Sequence, residues 1–291
     1  MRQIGAAFTI LMLGLIVAAA DEAPSAQSTP AEQYQALLKE YQTASSSGTV
    51  LTDEERMKFV GRVYKLRNKL ALKFVELAEK YPDDPIALGA LTQAVWQVNG
   101  TPWPVELVGT DDASARALEL LERDHVQSEQ LGSVCQRIGF GFREEYEPFL
   151  RAVLMRNPHR EVQAQACLGL AHFLNNRMQR LELIKEQPEL GREFEGLFGK
   201  EYLRRLQRDD HDKTAKEAEE LLEQAARDFR NVKLPDGNTA GDKAAAELFE
   251  MRHLVVGKEA PDIEGEDQEG KKFRLSDYRG KVVLLDFWQE Y

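Results

Sequence analysis

The sequence predicts a mainly helical N-terminal domain followed by the first part of an α/β domain. Three observations carry that expectation. Apolar residues recur every three or four positions along most of residues 31–253, which is the period of a helix with one buried face. The pattern changes after His253. There an apolar, β-branched run of strand length, Val282–Leu285, follows the turn residues Arg279-Gly280-Lys281, as in a strand covered on both faces by helices.

The chain opens with a short basic stretch, Met1-Arg2-Gln3, then an apolar run from Ile4 to Val17 and Ala18-Ala19-Ala20 before Asp21. This layout predicts a secretory signal peptide over residues 1–20. The run is short for a bilayer span, which takes about 20 apolar residues. The mature chain is therefore expected to be exported, periplasmic or otherwise extracytoplasmic, with no membrane span after cleavage. Residues 21–30 are small and polar and are expected to be a disordered spacer.

From Ala31 the helices follow in order. Tyr34, Leu37, Leu38 and Tyr41 form one stripe over 31–44. Thr52 and Glu55 form a capping box that opens a helix to about Lys80, with Phe59, Val63, Leu66, Leu70, Phe74 and Leu77 on one face. Tyr81-Pro-Asp-Asp-Pro85 ends that helix and starts the next, Ile86–Val98, because proline stops one helix and suits the first turn of another. Further helices are expected at 113–123, 129–140, 144–156, 160–175 continuing through 177–185, 214–229 and 242–252. Residues 191–199 read as a loop-like insertion and 234–241 as a glycine-bearing connector. The junctions near Tyr81, Asp124, Asn157 and Phe229 are spaced by 43, 33 and 72 residues, near one or two periods of a helical-hairpin repeat. No full repeat signature is present. The domain over 31–253 is read as degenerate tetratricopeptide-like or α-solenoid-like hairpins, with an irregular helical bundle as the alternative.

Composition excludes several classes. With 38 Lys and Arg against 49 Asp and Glu, the net charge is −11, which argues against a nucleic-acid partner. Two cysteines, Cys135 and Cys167, are too few for a disulfide-built fold. Each lies on an apolar helical face and reads as a buried structural thiol; a disulfide between them would suit an exported protein if their helices pack together. The five histidines, His125, His159, His172, His211 and His253, lack metal-ligand spacing and read as surface or helix-end residues. The acidic run Glu217, Glu219, Glu220, Glu223 alternates with Lys213, Lys216 and Arg227, as on a solvated helix face. No P-loop, dinucleotide fingerprint or Ser-His-Asp order is present, and no cofactor or metal is implied.

The last stretch carries the chemistry. Its segments are Gly257-x-x-Ala260-Pro261-x-Ile263, Phe273-x-Leu275-Ser276-Asp277-Tyr278-x-Gly280-Lys281, and Leu285-Asp286-Phe287-Trp288-x-Glu290-Tyr291. In that order and spacing they resemble the opening of a thioredoxin-like domain of the redoxin superfamily, which includes AhpC/TSA proteins and thiol–disulfide oxidoreductases of the TlpA-like branch. The resemblance covers residues 254–291 and implies an entry strand, a hairpin with a short helical turn, and the strand that leads to the active site. In the family a Cys-x-x-Cys pair comes next, directly after the position of Tyr291. The chain as given ends before it, so it reads as an N-terminal fragment that would be inactive by itself. The resemblance implies that Asp286 is the buried acid exchanging a proton with the resolving cysteine, and that Trp288 and Tyr291 flank the active-site loop. Read without it, Asp286 is a strand-end carboxylate held by backbone donors and Trp288 is core. A peroxiredoxin-type thiol peroxidase and a non-enzymatic helical scaffold for a protein or peptide are the alternatives. The implied partners are protein thiols or disulfides, or a redox partner.

Overall fold

The structure, a computed structural model, describes residues 28–45, 53–98, 113–255 and 257–286. The expected signal peptide, most of the expected spacer, and Thr52 of the expected capping box lie outside these residues.

The first described helix, α1 (Pro30–Ser45), begins inside the expected spacer. Its start is set by a capping box that the sequence reading placed elsewhere. Thr29 donates its backbone N–H to Glu32 Oε2 at 2.7 Å and its Oγ1 accepts from the Glu32 N–H at 3.2 Å, with Pro30 in the first turn. Helix α2 spans Asp53–Lys80 and α3 spans Ile86–Val98. Asp84 caps α3 by accepting from the Ile86 N–H at 2.9 Å. Leu70, Phe74 and Leu77 of α2 are buried, as their spacing predicted. Tyr34 of α1 meets Phe74 edge to face at 5.7 Å, and Lys73 pairs with Glu40 at 2.8 Å, so α1 lies along α2.

Helix α4 (Ala113–His125) packs on α3. A 3-10 turn, Glu129–Leu131, leads into the short α5 (Gly132–Ile138). Helix α6 (Tyr146–Arg156) then pairs with α7 (Arg160–Glu186). The bend between them is built on Asn157, whose side chain is buried. Its amide donates to the carbonyls of Val126 at 2.7 Å and Ser128 at 2.8 Å, and its Oδ1 accepts from the His159 N–H at 2.9 Å. One polar side chain thus satisfies two loops' backbone groups where water does not reach.

Helix α7 is the hub of this region. Its middle, from Ala164 to Leu174, is buried on nearly every side, so a single-stripe pattern was never going to describe it. Helices α5, α6 and α10 (His211–Asp228) all pack against it. The closest crossing is with α5. A Cβ on Gly139 would lie 2.7 Å from Gly169 Cα, and one on Gly169 would lie 2.5 Å from the Cys135 carbonyl oxygen. Glycine is required at both places because backbone occupies the space a side chain would take. A charged network holds the rim: Arg177 bridges Glu147 at 2.7 Å and Asp209 at 2.9 Å, and Arg151 bridges Glu147 at 2.7 Å and Glu217 at 2.6 Å.

Three sequence expectations are corrected here, while the reading of both cysteines as buried structural thiols holds. Residues 191–199 are not a loop: they belong to α8 (Pro188–Phe198), with Pro188 in its first turn and Gly199 ending it at φ +85°. Helix α9 (Lys200–Arg208) follows and was not anticipated; Leu203 and Leu206 form a satellite core with Leu181 and Ile184 of α7. The cysteines do sit on packed helices, but both are free. Cys167 Sγ instead donates to the Leu221 carbonyl of α10 at 3.2 Å. His172 is not a helix-end residue. It lies mid-α7, its Nε2 is 2.7 and 2.8 Å from the two Glu247 carboxylate oxygens, and Phe140 stacks on its ring at 4.8 Å. A polar side chain can sit there because a partner on α11 (Ala240–His253) satisfies it.

The connector 234–241 is a tight turn. Leu234 donates its N–H to the Asn238 carbonyl at 2.9 Å, Gly237 takes φ +88°, and Thr239 caps α11 by accepting from the Asp242 N–H at 3.0 Å. Arg252 of α11 then pairs with Glu219 at 2.6 Å and with Glu223 of α10. The acidic run on α10 is therefore partly an interhelical clamp. Among the described residues, no helix is long and apolar enough to cross a membrane.

Two substitutions test this packing. Gly169→Ala forces a methyl against the α5 backbone and is expected to destabilise the helical region by about 2–4 kcal/mol, somewhat above the usual cost of overpacking because backbone cannot yield as a side chain does. A urea titration followed by far-UV circular dichroism measures it. Asn157→Asp keeps the shape but removes both donated bonds and leaves a buried charge, so a loss of at least about 2 kcal/mol is expected by the same measurement.

Candidate functional site

After α11 the chain leaves the helices through Leu254 and Val255, both substantially exposed. The entry strand expected at 257–263 is not regular; the strand forms directly after it, from Glu264. Strand β1 (Glu264–Glu266) pairs antiparallel with β2 (Lys272–Arg274), with Glu264 opposite Arg274, Gly265 opposite Phe273 and Glu266 opposite Lys272. The shift has a local cause. Pro261 has no backbone donor to give a ladder, whereas the Asp267–Gly270 segment makes a compact turn. Asp267 Oδ1 accepts from the N–H groups of Glu269 and Lys271, each at 2.9 Å, and Gly270 takes φ +75°. The Arg274 guanidinium meets the opposing Glu264 at 2.6 Å.

The hairpin runs directly into a 3-10 turn, Leu275–Tyr278, as the resemblance implied. Asp277 accepts from the Arg274 N–H at 2.9 Å, which caps the turn. Leu275 donates to the Ile263 carbonyl at 2.9 Å, carrying the ladder one step beyond β2. The tightest connection is made by Asp262. Its Oδ1 accepts from the Ser276 N–H and its Oδ2 from the Ser276 hydroxyl, both at 2.8 Å. These two donors, the backbone one foremost, hold the Asp262 carboxyl below its ordinary value. Asp262 was not singled out in the sequence, and Ser276 appeared only as part of the resemblance motif. Their signal was the short polar side chain at the start of a turn facing an acid just after proline, a pattern too common to stand alone.

Beyond the turn, Arg279-Gly280-Lys281 bends as expected, with Gly280 at φ +83° and Lys281 donating to the Tyr278 carbonyl at 3.1 Å. The following run corrects the sequence reading. Val282–Leu285 is not a strand, and it is exposed; Val282 and Leu284 are 104% and 91% exposed. A strand is defined by the ladder it joins, and among the described residues nothing pairs with this run. Asp286 shares its exposure, so in this arrangement it is a solvated carboxylate rather than the buried acid its role calls for. Trp288 and Tyr291 lie outside the described residues. Of the three site residues read from the sequence, only Asp286 has a described position. Among the described residues, no group of three or more His, Cys, Asp or Glu side chains converges as a metal site.

Comparison with known proteins bears on this same segment. Residues 256–291 match the model of the AhpC/TSA family. Over 39 residues the chain is 51% identical to the thiol-disulfide oxidoreductase ResA of Geobacillus thermodenitrificans (strain NG80-2), covering 13% of this chain and 22% of that protein. Over 35 residues it is 54% identical to ResA of Bacillus thuringiensis subsp. konkukian (strain 97-27), covering 12% and 20%. These matches make the C-terminal segment similar to proteins of the thioredoxin-like redoxin superfamily. This redoxin segment spans about a fifth of the length of the curated relatives it matches. No solved structure matches the chain. Helices up to His253 followed by one small hairpin agree with a helical N-terminal region joined to an incomplete thioredoxin fold.

The two cysteines of the helical region offer no substitute chemistry. Burial pushes the thiols of Cys135 and Cys167 each up to about 12. At neutral pH the thiolate fraction is then on the order of one in 100,000.

Two outcomes follow for the redoxin segment. The depressed Asp262 value means its bonds to Ser276 contribute stability at neutral pH that is lost as pH falls through the folded-state value. Ser276→Ala is expected to raise the Asp262 value toward the ordinary carboxylate range, as read by NMR titration of the side-chain carboxyl. Leu284→Lys interrupts the exposed apolar run, and a larger monomer fraction in sedimentation velocity is expected, since such runs pair between molecules.

Proposed function

We propose that the protein containing this chain is an extracytoplasmic thiol–disulfide oxidoreductase, with its redox Cys-x-x-Cys pair directly after Tyr291. The single observation that supports this most is the identity of 51–54% with ResA proteins over stretches of 35 to 39 residues. The export reading rests on the signal-like layout of residues 1–20 and agrees with that relationship.

In this reading the first thiolate attacks a sulfur of the substrate disulfide. One substrate thiol leaves, and a mixed disulfide forms. The second cysteine then attacks the enzyme's own sulfur in that bond and releases the other substrate thiol. The substrate gains two electrons, and the enzyme pair is left oxidised. Asp286 takes the proton of the second thiol as it attacks, which requires its carboxyl to be raised toward neutrality by burial. That burial arises when Val282–Leu285 becomes an interior strand. Trp288 packs beside the active-site loop, with Tyr291 directly before the first cysteine. The helical region, residues 31–253, contributes a repeat-like surface for a protein partner. The chain as given carries no reactive thiol and is inactive as a reductase.

The AhpC/TSA match also admits a thiol peroxidase, and the same experiment separates the two. The chain extended through the codons after Tyr291 is assayed for insulin reduction and for peroxide consumption. Insulin reduction that is abolished by Cys→Ser at either new cysteine is expected, with Asp286→Asn slower by about 100-fold or more. Peroxide consumption without insulin reduction supports the peroxidase, and an extension with no pair of thiols refutes both. For the present chain, a thiol-reactive dye at neutral pH is expected to label neither cysteine in the folded state and both in denaturant; fast labelling of the folded chain would overturn the assignment of Cys135 and Cys167 as inert.

A further inference from the structure

We draw no further inference here: the strongest candidate, the pocket between α5, α7, α11 and the Leu234–Pro235 turn, lined by Gln136, Phe140, Gln165, His172 and Lys243 with a cavity of about 30 Å³, has room for little more than one water, its unpartnered polar atoms (Gln165 Oε1 and His172 Nδ1) are sealed from solvent, and nothing in the structure shows what would cover it.

Discussion

The structure depends on a backbone-to-backbone contact. Helices α5 and α7 approach until Gly139 and Gly169 leave no room for a side chain. That approach lets α7 be surrounded, with α5, α6 and α10 each packed on it. A helix covered on several sides needs apolar or small residues all round, and α7 supplies them as Ala164, Ala166, Gly169 and Ala171 among Leu168, Leu170, Phe173 and Leu174. The satellite helices α8 and α9 bury their own small core on the C-terminal part of α7. The polar devices sit at the margins of this packing: Asn157 at the α6–α7 bend, the Glu147 network at the rim, and the His172–Glu247 pair that ties α11 to α7.

The two cysteines acquire their character from the same crossing. Cys135 and Cys167 are fully enclosed because α5, α7 and α10 meet around them. Desolvation disfavours their thiolates, so they behave as small apolar side chains with a weak donor. The redoxin segment is organised in the opposite way. It is held by local polar bonds, chiefly Asp262 to Ser276 and Asp267 to its own turn, and its apolar residues face outward. Local bonds suffice to shape a hairpin and a 3-10 turn. They cannot bury a central strand, which needs neighbours on both edges and both faces.

Much of the helical region was legible in sequence. Ile86–Val98 follows the Pro82 to Pro85 turn, and its limits were read without error. The stripe from Leu70 to Leu77 and the turn at Asn157-Pro158 were equally clear. The misses have physical causes. Residues 191–199 were read as a loop-like insertion bounded by two glycines, yet Gly191 is tolerated inside α8 and Gly199 ends it. His172 was misplaced because the helix was taken as two pieces, and the partner that accommodates it lies 75 residues away. The buried role of Asp286 was implied by the resemblance alone; its exposure here reflects that burial is conferred by other segments.

By itself, the sequence determined most of the helices before residue 188, the likeness of the last segment to redoxins, and the hairpin with its turn, because each follows from residues within a few positions of one another. Tertiary structure alone decided which helix became the hub, that the two thiols remain unpaired and enclosed, which acid meets His172, and that Val282–Leu285 stays uncovered. Those outcomes depend on segments distant in the chain meeting or failing to meet, and no local pattern encodes the encounter.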